Sequence, residues 1–144
     1  MSIQNNNFYS LKAYAFYLQT IYKKRNIPID VIVCDFFHWP YCGDFRFDEE
    51  FFPDPQAMVD ELKSMGIELM VSVWTNAAYH SENFKEYSDK NYLISLNAGF
   101  QNTHRLMDDS LMLDFTNEKV RKNVWEKLKK IYFDLGINIY WLDN

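Results

Sequence analysis

The chain has 144 residues, of which 48% are hydrophobic and 18% aromatic, with only four glycines and four prolines. This composition excludes a disordered or collagen-like chain and is sufficient for a packed core. Fifteen basic and twenty acidic residues give a formal charge of −5, which argues against a nucleic-acid-binding or anionic-membrane surface because both need clustered positive charge.

The first predicted unit is a helix followed by a buried strand. Ser10 can cap a helix whose apolar positions follow helical spacing as far as Tyr22, and Pro28 prevents its continuation. The run over residues 31–37 is apolar except for Asp35, which is typical of a strand buried on both faces.

The same unit then recurs. Asp54 as cap and Pro55 as first helical residue begin a second helix, and Gly66 ends it in a left-handed conformation. Residues 67–74 form the next apolar strand.

A third helix begins near residues 116–117 and ends at Gly136, and residues 137–142 form the third apolar strand. The preceding stretch, residues 76–114, is polar and weakly patterned, with one short helix predicted over residues 81–88.

Helices that alternate with doubly buried strands predict an α/β fold, in which a parallel sheet is covered by helices. The three strands end near Asp35, Trp74 and Asp143, which do not suit a core. Because ligands gather at the carboxyl ends of parallel strands, we expect a site at this edge. A structural ion pair remains the alternative for each carboxylate, since an unpaired buried carboxylate is costly.

Two carboxylates with an aromatic side chain between them favour glycoside hydrolysis, in which one acts as nucleophile or base and another as acid. Aromatic rings suit sugars because the apolar C–H face of a pyranose packs on a flat ring. Each candidate for this packing could equally be a core residue; the candidates are Phe36, Phe37, Trp39, Tyr41 and Trp74.

Other chemistries lack their sequence patterns. The histidines His38, His80 and His104 do not have the spacing of metal ligands, so no metal site is expected. No glycine-rich phosphate loop and no GxSxG motif is present. Cys34 is expected to be a small buried apolar residue and Cys42 a loop thiol, and two cysteines favour a reducing, cytosolic setting.

Three segments resemble glycoside hydrolase family 31, which contains α-glucosidases and α-xylosidases. They are residues 26–39 (NIPIDVIVCDFFHW), 42–74 (CGDFRFDEEFFPDPQAMVDELKSMGIELMVSVW) and 113–144 (LDFTNEKVRKNVWEKLKKIYFDLGINIYWLDN). The resemblance covers nearly the whole chain from Phe8 onward. It implies a TIM-type (β/α)₈ barrel, of which residues 1–144 would form the N-terminal half, roughly strands two to four with their helices.

The resemblance also implies roles for individual residues. Asp143 falls on the nucleophile at the end of the fourth barrel strand, and Asp35 falls on the acid that holds sugar hydroxyls. Trp74 falls on the tryptophan that lines the same subsite, and Asp114, in LDFTN, is expected to organise its loop. The positions that shape substrate choice are Phe36, His38 and Trp39.

The implied parent is a retaining α-glycosidase that hydrolyses terminal α-linked glucose or xylose through a glycosyl-enzyme intermediate, without a cofactor. The resemblance also implies that the acid/base and the first barrel strand lie outside residues 1–144; a complete barrel takes about 250 residues. The chain alone is therefore expected to be inactive, to bind carbohydrate and to self-associate through open sheet edges. The alternative is a non-catalytic carbohydrate-binding or remnant half-barrel protein.

Overall fold

The computed structural model describes residues 21–22, 24–94, 103–104 and 109–143. The first predicted helix, from Ser10 to Tyr22, lies outside these residues except for its last two positions. Within the described ranges, no helix has the length and apolar character needed to cross a membrane.

The main sheet has the strand order β1-β2-β6, and all its pairings are parallel. Its strands are β1 (Val31–Cys34), β2 (Glu68–Trp74) and β6 (Ile139–Asp143). The predicted parallel α/β arrangement is thereby confirmed, and the strand that ends in Trp74 lies between the strands associated with Asp35 and Asp143.

Two of these strands begin or end differently from the sequence prediction. β1 stops at Cys34 rather than Phe37, because Phe37 adopts a left-handed φ of 69° in a turn. β6 begins after Ile137, whose N–H still donates to the carbonyl of Tyr132 (3.0 Å) and therefore belongs to the end of the preceding helix.

The helix α1 (Pro55–Ser64) begins as predicted. Asp54 Oδ1 accepts a hydrogen bond from the Ala57 N–H at 2.9 Å, which satisfies one of the free donors of the first turn. Gly66 follows the helix with a φ of 73°, a conformation that glycine adopts without strain. Three side chains of α1 are buried: Met58, Val59 and Leu62.

A second, antiparallel sheet has the strand order β3-β5-β4. Together with a short helix it forms the inserted unit, which consists of β3 (Asn76–Ala78), α2 (Phe84–Asp89), β4 (Thr103–His104) and β5 (Ser110–Met112). The sequence prediction placed only a helix here, over residues 81–88. Strands of two or three residues are too short to show alternation, so the pattern did not reveal them.

The last helix, α3 (Glu118–Leu128), is capped by Asn117, whose Oδ1 accepts from the Lys119 N–H at 2.9 Å. It continues into a π-helical turn, Lys129–Phe133, and Gly136 ends the segment with a φ of 89°. Before α3, Asp114 Oδ1 accepts from both the N–H and the hydroxyl of Thr116, which confirms the predicted loop-organising role of this carboxylate.

The core lies between the helices and one face of the main sheet. Alternate side chains of β2 enter it, namely Leu69, Val71 and Val73. The helix α3 contributes Val120, Val124 and Leu128, and the loop between β1 and α1 contributes Phe45, Phe47 and Phe52.

Polar side chains attach the inserted unit to α3. Lys127 Nζ donates to Asn83 Oδ1 (2.7 Å) and pairs with Glu86 (2.9 Å). Hydrogen bonds from Lys90 and Lys127 lower the pKa of Glu86 to about 2. Asn83 Nδ2 also donates to the carbonyl of Gly43 at 2.9 Å, so that one amide joins the inserted unit to the loop after β1.

The cap of α1 gives a direct test of the fold. Replacing Asp54 with Ala removes the acceptor for the Ala57 N–H, and we expect the free energy of unfolding in urea to fall by about 1 kcal/mol. Asp60→Ala is the matched control, because this exposed carboxylate on the same helix accepts from the exposed Gln56 side chain. Equal losses for the two variants would contradict the capping role.

Candidate active site

The carboxyl ends of the three parallel strands meet at one edge of the main sheet. Residues that are paired in parallel register point to the same face of the sheet. Trp74 of β2 is paired with Asp143 of β6, and Ser72 is paired with Trp141. Because the intervening residues of β2 face the helices, Trp74 and Asp143 both lie on the opposite side of the sheet. We call this side the open face.

Asp35 joins them from the other neighbouring strand. It directly follows Cys34, which pairs with Val71 and is buried in the core, whereas Asp35 itself is exposed. Continuing the alternation by one step places Asp35 on the open face, level with Ser72. Within the described residues no cation forms an ion pair with Asp35, so the structural ion pair considered from the sequence is not formed there.

The two carboxylates lie on either side of the central strand. With adjacent strands 4.7–4.9 Å apart, the backbones of β1 and β6 are separated by about 9.5 Å. Asp143, which is half-buried, is therefore directly beside Trp74, while Asp35 stands across β2 from it.

The predicted aromatic site residues come together at the end of β2. The Trp74 ring lies with its centroid 5.6 Å from that of Phe36 and 6.0 Å from that of Trp39. With Cys42 and Ala78 these rings form a small apolar cluster separate from the main core. Of the other two aromatic candidates, Phe37 is exposed but packs edge-on against Phe36, with ring centroids 4.7 Å apart, whereas the exposed Tyr41 lies beside His80.

Two buried polar groups on the open face have no hydrogen-bond partner among the described residues. They are the indole Nε1 of Trp74 and the hydroxyl of Ser72. Leaving such a group unpaired in a protein costs about 1–3 kcal/mol. Unpaired donors of this kind are typical of sites that a polar ligand or water completes.

The loop after β1 is held over this edge by a chain of side chains. The Cys42 thiol donates to Asn76 Oδ1 (3.0 Å), and Asn76 Nδ2 donates to the hydroxyl of Ser110 (2.7 Å). A Cβ on Gly43 would lie 2.8 Å from the Cα of Ala77, so only glycine allows this close approach. Cys42 lies in a loop as predicted and is buried there, and Cys34 is buried as expected.

Sequence reasoning missed Asp44, which organises the same loop. Its side chain is buried, with Oδ1 accepting from the Glu82 N–H (2.9 Å) and Oδ2 from the Tyr41 N–H (3.1 Å). Burial raises the pKa of this carboxyl above its usual value. The available signal was an acidic residue between glycine and phenylalanine in GDFRFD, a pattern that does not by itself reveal non-local partners.

His38 lies beneath the site rather than facing it. The ring is 2% exposed, with Nδ1 2.9 Å from the carbonyl oxygen of Asp35 and Nε2 2.8 Å from the Tyr132 hydroxyl. Burial lowers the pKa of His38 to about 4. The ring nitrogens of His38 are therefore not available to a ligand, because both are already engaged inside the protein. That the position of His38 shapes substrate choice stays a prediction.

Among the residues that the structure describes, no three His, Cys, Asp or Glu side chains form a group that could hold a metal ion. The polar groups of the open face are carboxylates, a hydroxyl and an indole N–H, which suit a ligand rich in hydroxyl groups.

The buried His38 predicts how stability depends on pH. An unfolded histidine takes up a proton as pH falls through 6.5, whereas the folded state resists protonation down to about pH 4. The free energy of unfolding should therefore be unaffected above pH 6.5 and fall between pH 6.5 and 4, by on the order of 3 kcal/mol.

Urea unfolding at a series of pH values measures this effect. His38→Gln, which lacks the titrating group, should lose that part of the slope, whereas His80→Gln should keep it because His80 is exposed. Identical slopes for the native chain and His38→Gln would contradict the assignment.

The comparisons with known proteins agree with one another. Residues 3–144 match the family model for the TIM-barrel domain of glycosyl hydrolases family 31. An uncharacterized family 31 glucosidase of Pseudescherichia vulneris is 45% identical over 122 residues, which are 85% of this chain and 23% of that protein. An α-xylosidase of Saccharolobus solfataricus is 36% identical over 124 residues, which are 85% of this chain and 15% of that protein.

Solved structures give the same result. The crystal structure of a family 31 α-xylosidase from a soil metagenome, complexed with xylose, has a TM-score of 0.86 and 46% sequence identity, and covers 94% of this chain and 20% of that one. This chain thus spans less than a quarter of the length of these relatives. It belongs to glycoside hydrolase family 31, and its parallel strands are part of that family's TIM-barrel domain.

Proposed function

We propose that this chain supplies the nucleophile and one side of the sugar site of a retaining α-glycosidase, which acts on terminal α-linked glucose or xylose. The observation that supports this most is the pairing of Asp143 with Trp74 on the open face, with Asp35 on the far side of β2. The substrate class is supported by the names of the relatives, which include a glucosidase and α-xylosidases.

In this proposal Asp143 attacks the anomeric carbon and forms a glycosyl-enzyme ester while the bond to the leaving oxygen breaks. A separate carboxylic acid protonates that oxygen and then, as a base, activates the water that hydrolyses the ester. We assign this acid/base to a residue outside residues 1–144. Retaining pairs lie about 5–5.5 Å apart, so Asp35, across the central strand, does not suit the role.

Asp35 is instead assigned to the sugar hydroxyls. Its Oδ1 accepts from the Phe36 N–H at 2.8 Å, while Oδ2 has no partner among the described residues and is available as an acceptor. Hydrogen bonds to a charged group contribute about 1.5–3 kcal/mol each. Across β2, the unpaired indole N–H of Trp74 is assigned as a donor to a neighbouring hydroxyl.

Sugar binding without catalysis is the second candidate. It is supported by the polar groups of the open face, the unpaired indole N–H of Trp74 and the exposed carboxylate of Asp35, which would hold a sugar whether or not a bond is cleaved. The two candidates predict different activities when this segment is placed in a complete barrel. A catalytic origin predicts that this segment works within a complete family 31 barrel, whereas a binding remnant does not.

A chimera tests the nucleophile. Residues 3–144 would replace the matching segment of the soil-metagenome α-xylosidase, and we expect the chimera to hydrolyse an aryl α-xyloside. Asp143→Asn should then lower kcat by roughly a thousandfold or more, because removing a nucleophile abolishes the covalent route. The control is Asp60→Asn, an exposed carboxylate on α1.

Full turnover by the Asp143→Asn chimera would refute the nucleophile assignment. A folded chimera that binds xylose by calorimetry but hydrolyses no aryl α-xyloside or α-glucoside would favour the binding candidate. Comparing the two aryl glycosides in an active chimera decides between xylose and glucose.

The indole of Trp74 gives a separate prediction. Trp74→Phe keeps an aromatic ring but removes the unpaired N–H, so the KM for the aryl glycoside should rise roughly three- to tenfold. Trp125→Phe is the matched control, because Trp125 is exposed on α3. An unchanged KM for Trp74→Phe would exclude its N–H as a substrate contact.

A further inference from the structure

The turn that follows Asp35 contains a strained backbone conformation at Phe37. The chain leaves β1 at Cys34 and reverses through a turn in which Phe37, a residue with a Cβ, adopts a φ of 69°. Such conformations cost on the order of 1 kcal/mol and persist only where surrounding contacts maintain them. In this turn, the main-chain carbonyl of Asp35 is hydrogen-bonded to the ring of His38.

The hydrogen bonds of His38 have only one consistent assignment. The Asp35 carbonyl oxygen can only accept, so the proton lies on Nδ1 and is donated to it over 2.9 Å. In the neutral ring Nε2 then carries a lone pair, so the Tyr132 hydroxyl must donate to it over 2.8 Å. His38 and Tyr132 are 2% and 1% exposed, so neither group can exchange its partner for bulk water.

Tyr132 reaches His38 because of the π-helical turn, Lys129–Phe133. In this turn the Asp134 N–H donates to the carbonyl of Lys129, five residues earlier. Tyr132 is buried there while Phe133 is exposed. Phe47 completes the packing, with its ring centroid 5.3 Å from those of both His38 and Tyr132.

We propose that His38 and Tyr132 are positioning residues for Asp35: they link the turn after β1 to the segment that leads into β6, and so fix the Asp35 carboxylate relative to Asp143. Neither residue contacts substrate, because both are buried below the open face. The inference rests on the proposed function, since it gives Asp35 the role of binding a sugar hydroxyl.

The first test is spectroscopic and needs no sugar. In ¹⁵N NMR of the purified chain at neutral pH, His38 should show a protonated Nδ1 and an unprotonated Nε2. Tyr132→Phe should shift the Nε2 signal and also the Phe36 amide, which donates to Asp35 Oδ1. A His38 ring protonated on Nε2, or a Phe36 amide that does not respond, would overturn the proposal.

The second test measures substrate binding in the chimera. His38→Phe removes the donor to Asp35 and should raise KM about tenfold with little change in kcat, because the nucleophile is untouched. His38→Asn, whose amide can replace Nδ1 as donor, should restore most of the loss. Equal KM values for native, Phe and Asn versions, all folded by circular dichroism, would overturn the positioning role.

Tyr87 provides the matched control for Tyr132. It is also fully buried, and its hydroxyl has no hydrogen-bond partner among the described residues. Tyr87→Phe should leave KM and the Phe36 amide unchanged, whereas Tyr132→Phe should change both. If Asp143→Asn abolishes turnover but the His38 variants behave alike, the proposed function stands and only this inference fails.

Discussion

The arrangement of the site depends on the parallel register of one strand. β2 is paired on both sides, and its last residue, Trp74, is opposite Asp143. Because side chains alternate along a strand, a shift of one residue would turn Asp143 toward the helices and bring Leu142 to the open face. Tyr140 of β6 packs against the main core and opposes such a shift, so contact with the apolar core helps to fix which functional groups face a ligand.

Buried polar groups then hold the loops that the core does not reach. Asp44, Asn76 and Asn83 are each buried, and each bonds to a segment distant in the chain. Such groups are costly unless their hydrogen bonds are made, so they specify one loop arrangement rather than simply adding stability. The aromatic cluster on Trp74 depends on this arrangement, since Phe36 and Trp39 belong to the loop that these groups hold.

The elements that could be predicted from the sequence are those specified by local chemistry. Asp54, Pro55 and Gly66 mark the ends of α1 through contacts within a few residues, and the parallel arrangement of the strands followed from the alternation of helices and apolar runs. The distant partners of buried side chains could not be predicted in this way. His38 is hydrogen-bonded to Tyr132, which is 94 positions away. Cys42 lies in a loop as predicted, but its partner Asn76 is 34 positions away.

The charge at the open face depends on the groups beneath it as well as on its carboxylates. On the proposed mechanism the transition state carries positive charge at the sugar ring, which nearby anionic carboxylates stabilise. The groups beneath the face do not offset that field: His38 is neutral because burial lowers its pKa to about 4, and Tyr132 is a buried phenol whose pKa is raised by burial. The cations of the described ion pairs belong to other segments, such as Lys127 with Glu86 and Arg46 with Glu82. The neutral His38 can thus orient Asp35 by bonding to the Asp35 carbonyl. It does so without weakening the negative potential of the Asp35 carboxylate.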